Sequence, residues 1–196
     1  MMKKIGVTGG IGSGKSALCA LLAVWGVPVY RTDDRAKELM EADPRLRKQI
    51  VDLFGEEAYA GGVLNRKFLA DRVFRDPALL AALDGVVHPA VRKDFETWFS
   101  QQKAPYVVME CAILFESGFD ALVDRIVTVS APVETRVERA ARRDGCQPEK
   151  IRERIARQMD DRERESRSDY VILNTTLDAL RTQAEALHQT LLHENR

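Results

Sequence analysis

A short apolar run, Ile5-Gly6-Val7-Thr8, opens directly onto Gly9-Gly10-Ile11-Gly12-Ser13-Gly14-Lys15-Ser16 and then onto Ala17-Leu18-Cys19-Ala20-Leu21-Leu22. The middle segment is the phosphate-binding loop pattern G-x-x-x-x-G-K-S, and its position between a strand and a helix is the context that gives it meaning. Glycines let the backbone curl without Cβ clashes, so successive N–H groups point inward at an anion. The helix that follows turns its positive end on the same anion. Lys15 is placed to reach the β and γ phosphates of a nucleotide, and Ser16 to reach a magnesium ion. Leu18, Leu21, Leu22 and Trp25 recur at helical spacing, and Gly26 ends that helix.

Further strands are predicted at Val27–Tyr30, Tyr106–Met109, Arg125–Val129 and Tyr170–Leu173, with helical sequence between them. Alternation of this kind predicts an α/β fold: a P-loop core built on a parallel five-stranded sheet flanked by helices. The final helix carries Leu177, Leu180, Ala184, Leu187 and Leu191 on one face, which predicts packing on the sheet. Residues 35–103 are too long for a connecting loop and predict a helical, acceptor-binding lobe inserted into a core of residues 1–34 and 104–196. Asp43-Pro44 and Asp76-Pro77 read as helix starts, and Gly61-Gly62 as a turn.

With 30 basic and 30 acidic side chains, the chain offers no long-range field for nucleic acid or an anionic membrane, and neither partner is expected. Cys19, Cys111 and Cys146 show no metal-ligand or disulfide spacing, which fits a reducing cytoplasm. No stretch approaches membrane-spanning length, and the N-terminus runs into a strand instead of a signal peptide. A monomer or weak homo-oligomer is expected.

Thr32-Asp33-Asp34 closes the second strand. Ligands of open α/β sheets gather at such strand ends, which makes Asp33 a candidate base for an acceptor hydroxyl. The alternative is that Asp33 or Asp34 caps a helix beginning near Arg35. Val107-Val108-Met109-Glu110 resembles a Walker B strand, with Glu110 either holding magnesium, directly or through water, or serving a local salt bridge or cap. Ten arginines between Arg136 and Arg167, interleaved with eight acids, read mostly as a solvated, ion-paired helical face. Arg136, Arg139 and Arg143 share one helical face; placed over the loop with a lid at about 140–165, whose helices break at Gly145 and Pro148, one or two of them are candidates for contacting a transferring phosphoryl group. His88-Pro89 reads as a structural pair at the start of a helix. His188 and His193 are expected to be protonated near a helix C-terminus.

Taken together, these features resemble the dephospho-coenzyme A kinase family. The resemblance rests on Thr8 to Ser16, Val27-Pro28-Val29 leading to Asp33 and Ala36, His88-Pro89, and Ile113-Leu114-Phe115-Glu116. It continues through Arg139 with Arg143-Asp144, Arg154 with Gln158, and Asp169-Tyr170-Val171-Ile172 before Asn174. It implies a nucleoside monophosphate kinase type of fold and transfer of phosphate from magnesium-ATP to the ribose 3′-hydroxyl of dephospho-CoA. It also implies that Lys15, Asp33, Arg139 and Arg143 carry the reaction. By the same likeness, Gly10, Ile11, Gly12, Ser13, Gly14, Lys15, Ser16 and Ala17 hold ATP with Arg143 and Asn174, while Thr8, Asp33, His88, Glu110 and Leu114 hold the acceptor. Mg2+ is placed on Ser16, with Asp33 or Glu110 reaching it through water. The chain departs from the family pattern at Arg31, where an Asp is common, and at Ala112, where a proline is common. Two rival readings are a kinase for another small acceptor and a nucleotide-hydrolysing switch; the long insert argues against both, and no N-K-x-D motif supports the second.

Overall fold

The computed structural model describes residues 2–194. In chain order the elements are β1 (Lys3–Thr8), α1 (Lys15–Val24), β2 (Val29–Arg31), α2 (Thr32–Ala42), α3 (Pro44–Phe54), β3 (Tyr59–Ala60) and β4 (Val63–Leu64). They continue with α4 (Arg66–Arg75), α5 (Pro77–Ser100), β5 (Tyr106–Glu110), β6 (Arg125–Ser130), α6 (Val133–Asp144), α7 (Pro148–Ile155), α8 (Asp161–Ser166), β7 (Tyr170–Leu173) and α9 (Leu177–His193). The chain folds into two compact units: residues up to Arg31 together with Gln102 onwards, and Thr32–Gln101.

The first unit is built on a five-stranded sheet in the order β2-β5-β1-β6-β7, and every pairing in it is parallel. Its central strands are apolar on both faces: Ile5, Val7, Val107, Val108, Met109, Val127 and Val129 are fully buried. That is the pattern of a parallel sheet covered on both sides. One cover is α1 with α9, which bring Leu18, Cys19, Leu22, Leu180, Ala184, Leu187 and Leu191 into the same core as the strands. Leu177 stands apart from the predicted stripe and is exposed. At the sheet edge, Gln183 of α9 closes Leu173 of β7 from the side, accepting from its N–H at 3.0 Å and donating to its carbonyl at 2.9 Å. A side chain thus replaces the missing neighbour strand.

His188 does not sit as a protonated helix-end group. Its ring packs against those of Trp25 and Tyr106, and its Nδ1 lies 2.6 Å from the Tyr106 hydroxyl. Burial pushes its pKa below the usual imidazole value, so the neutral ring is the form that this packing favours.

In the second unit α2, α3 and α4 pack on α5, burying Leu46, Ile50, Leu69, Val87, Val91 and Phe95. The two Asp-Pro starts are built as predicted: Asp43 accepts from Arg45 N at 2.8 Å and Asp76 from Ala78 N at 2.9 Å. Gly61 and Gly62, with φ of +59° and +84°, form the turn of the small antiparallel β3–β4 hairpin. Both central residues have the left-handed φ that such tight hairpins require. Two expectations are corrected here. His88 and Pro89 lie inside α5, not at a helix start, and α2 begins directly at Thr32, so Asp33 and Asp34 occupy its first turn and do not cap a helix beginning near Arg35.

Candidate active site

The glycines of the loop between β1 and α1 are required by their neighbours as well as by their own dihedrals. Gly12 and Gly14 have φ of +75° and +100°, and Gly14 is the left-handed N-cap of α1. A Cβ at Gly9 would collide with the Val129 carbonyl, at Gly10 with Arg136 Nη1, at Gly12 with the Arg136 carbonyl, and at Gly14 with Asn174 Nδ2. The loop is therefore pressed from outside by β6, by α6 and by the residue after β7. Inside the turn, Ser13 N donates to Gly10 O at 3.1 Å, and Lys15 Nζ curls back to Gly9 O at 2.7 Å and Gly10 O at 3.3 Å. Two buried hydroxyls at the nest, Thr8 Oγ1 and Ser13 Oγ, have no protein hydrogen-bond partner among the described residues. Ala17 continues the first turn of α1 through its N–H to Gly14 O at 3.0 Å.

Glu110, at the end of β5, is the acidic hub of the site. Its Oε1 accepts from Ser16 Oγ at 2.6 Å. Its Oε2 lies 3.3 Å from Arg31 Nε, with 11% of the Glu110 side chain and 47% of the Arg31 side chain exposed. Register explains the encounter, because Arg31 of β2 is paired directly with Glu110 of β5. The local salt bridge expected of Glu110 is present, with Arg31, and the same carboxylate accepts from the Ser16 hydroxyl. Burial, and then the neighbouring Glu110 carboxylate, raise the Cys19 thiol well above its ordinary value, which marks it as an inert core thiol.

Much of the arginine-rich segment is an exposed, ion-paired face, as expected, but Arg136, Arg139 and Arg143 have different partners. Arg136 is 2% exposed and donates to Asp161. Arg139 is tied to the carbonyls of Asn174 and Thr175, each at 3.2 Å. Arg143 is exposed and bound to Asp144 at 2.7 Å, which Arg154 also holds at 2.7 Å. Arg143 first, then Arg154, draw the Asp144 carboxyl down to about 2. The solvated-face reading also fails for Arg164, which is 2% exposed. Gly145, in the left-handed region at φ +61°, ends α6, and Pro148 opens α7.

Asn174 is buried, and its Nδ2 donates to Ser13 O at 2.8 Å, so its amide braces the loop from outside. Leu114, expected at the acceptor, is fully buried, and its Cδ2 would press on a Cβ at Gly6; it is a core side chain beneath β1. In the second unit, Asp33 is exposed in the first turn of α2, and His88 Nε2 lies 3.6 Å from Asp84 Oδ1 one helical turn earlier. The features hidden from sequence reading are the pairing of Arg31 with Glu110 and the buried Arg136–Asp161–Arg164 group. The alignment of Val29-Tyr30-Arg31 with the end of β5 is the signal that bears on the first. No local signal reports the second.

A family model described as dephospho-CoA kinase matches residues 3–179. A dephospho-CoA kinase of Bacteroides fragilis is 47% identical over 175 residues, covering 89% of this chain and 85% of that protein. A crystal structure from Thermus thermophilus superimposes with a TM-score of 0.84 at 38% identity, covering 96% of this chain and 97% of that one. A dephospho-CoA kinase from Campylobacter jejuni, 22% identical, shares the fold with a TM-score of 0.73 and full coverage of both chains.

Proposed function

This chain belongs to the dephospho-CoA kinase family, and from that membership we propose how its residues divide the work of converting dephospho-CoA and ATP to CoA and ADP, in CoA biosynthesis. The observation that carries the reading is the glycine loop with Lys15 and Ser16 at the start of α1, braced from outside by Val129, Arg136 and Asn174. Its N–H groups and the helix N-terminus hold the triphosphate. Lys15 exchanges its two loop carbonyls for the β and γ phosphates.

Magnesium fits the donors present: Ser16 Oγ and Glu110 Oε1 are hard oxygen ligands already 2.6 Å apart, and this ion favours one or two protein oxygens completed by phosphate and water. Ser16 would hold it directly and Glu110 through water, and when bound it neutralises phosphate charge. Asp33 orients the ribose 3′-hydroxyl and takes its proton as that oxygen attacks the γ-phosphorus in line and the bond from the γ-phosphorus to the β–γ bridging oxygen breaks, releasing ADP. Thr32–Gln101 serves as the acceptor lobe, with His88 as a contact, and the segment around α7 serves as a lid. Arg143, exposed and paired with Asp144, moves to the transferring phosphoryl group. A cytoplasmic location completes the reading, in keeping with three free cysteines.

The test supplies magnesium-ATP with dephospho-CoA, AMP, adenosine or no acceptor and follows ADP. Release dependent on dephospho-CoA alone is the expected result; equal release with no acceptor would replace the kinase by a nucleotide-hydrolysing switch.

Arg31 makes a second prediction. Its cation lies beside the carboxylate that faces the magnesium position, and a unit charge near a half-exposed site changes metal affinity by about 1 kcal/mol, or about fivefold. Arg31→Asp reverses that charge, a change of two units worth about 2 kcal/mol, and is expected to lower the magnesium concentration needed for half-maximal velocity about thirtyfold. An unchanged magnesium titration would mean that Arg31 and the ion do not compete for Glu110.

A further inference from the structure

Ile11, in the middle of the P-loop, donates its backbone N–H to Gln158 Oε1 at 2.8 Å, across 147 positions of sequence. Gln158 stands in the turn between α7 and α8, where its own N–H bonds Ile155 O at 3.0 Å. The same stretch reaches the loop a second time. Asp161 accepts from Arg136 at 2.7 Å and from Arg164 at 2.6 Å, while Arg164 Nη2 also donates to Met159 O. Arg136 in turn lies so close to Gly10 and Gly12 that neither could carry a Cβ.

Two guanidinium groups, each 2% exposed, share one carboxylate, which leaves a buried positive charge directly behind an anion nest. Such a group is costly to desolvate and adds little net stability by itself. Gln158 borders a cavity of about 310 Å³ with Arg136, Asp161 and Arg164, and Arg164 holds the neighbouring Met159 carbonyl, so its backbone is anchored while its amide reaches Ile11.

We propose that Gln158 is a positioning residue for the triphosphate site. By holding the Ile11 peptide plane it sets the curl of residues 10–12, and the Arg136–Asp161–Arg164 group is the rigid mount that keeps Gln158 in place. Nucleotide affinity is therefore set partly from the far side of the loop, by the segment that joins α7 to α8. This rests on the reading of residues 9–16 as the triphosphate nest.

Gln158→Met keeps the volume and removes the acceptor; Gln158→Glu keeps an acceptor oxygen. For Gln158→Met the loss of this bond is expected to raise the calorimetric Kd for ADP and the KM for ATP about tenfold, with the KM for dephospho-CoA within about twofold. Amide exchange at Ile11 is expected to accelerate in the same variant. Gln158→Glu is expected to stay within about threefold of the parent in all three constants. Wild-type ADP affinity in folded Gln158→Met overturns the proposal, as does an equal rise in both KM values accompanied by a fall in Tm. Lys15→Ala separates the two levels: if it weakens ADP while Gln158→Met does not, only the positioning role fails, and if it leaves ADP binding unchanged, the nest assignment fails with it.

Discussion

Lys15→Ala is expected to lower kcat/KM at least about a hundredfold, because removing one preorganised donor at a developing charge commonly costs two to three orders of magnitude. In the structure its ammonium bonds Gly9 O and Gly10 O, which places the cation at the glycine loop. The substitution removes that charge and also removes the group that crosses the loop. The fold should survive it, since the loop keeps its outer braces, Asn174 on Ser13 and Gln158 on Ile11. The measurement is single-turnover transfer beside a thermal melt: a large fall in rate with a Tm within a few degrees is the expected pair. A loss of tenfold or less would remove Lys15 from the reaction. Lys15→Arg is not expected to rescue it, because a planar guanidinium cannot stand in for a compact ammonium inside a tight backbone turn.

The P-loop is legible in the sequence because glycine is informative where φ is positive and where backbones crowd, and both conditions hold at Gly12 and Gly14. The strands are legible because parallel strands buried on both faces are continuous apolar runs, and the Asp-Pro starts because cap and ring act locally. What the sequence hides depends on partners far away along the chain. Nothing in a run of alternating arginines and acids distinguishes Arg136 and Arg164, buried on Asp161, from Arg143, exposed on Asp144. His88-Pro89 misleads because proline usually opens helices. Here Pro89 sits within α5, so the helix simply forgoes the N–H that would have bonded the carbonyl of Gly85. The salt bridge at Arg31 is a product of strand register, which no local motif reports. Of the site, the loop can be read from the chain, whereas its outer bracing cannot.

Asp33→Asn is expected to lower kcat about 10²- to 10⁴-fold, the range that a positioned base contributes to proton transfer, while leaving the KM for ATP near its parent value. The argument begins from the backbone. β2 ends at Arg31 and α2 starts at Thr32 with no intervening loop, so Asp33 is held by a helix and not by a flexible strand end, as a reacting carboxylate needs. Thr32, beside it, is buried and fixes that first turn. A carboxylate there also stabilises α2 through the helix dipole, but only by about 0.3–1 kcal/mol, so a purely structural role predicts a small fall in Tm and almost no change in turnover. The asparagine keeps the size and hydrogen-bonding reach of the side chain and loses its basicity, which separates the two roles. Turnover within a few-fold of the parent would leave Asp33 as a helix-end acid and move the proton acceptor to solvent.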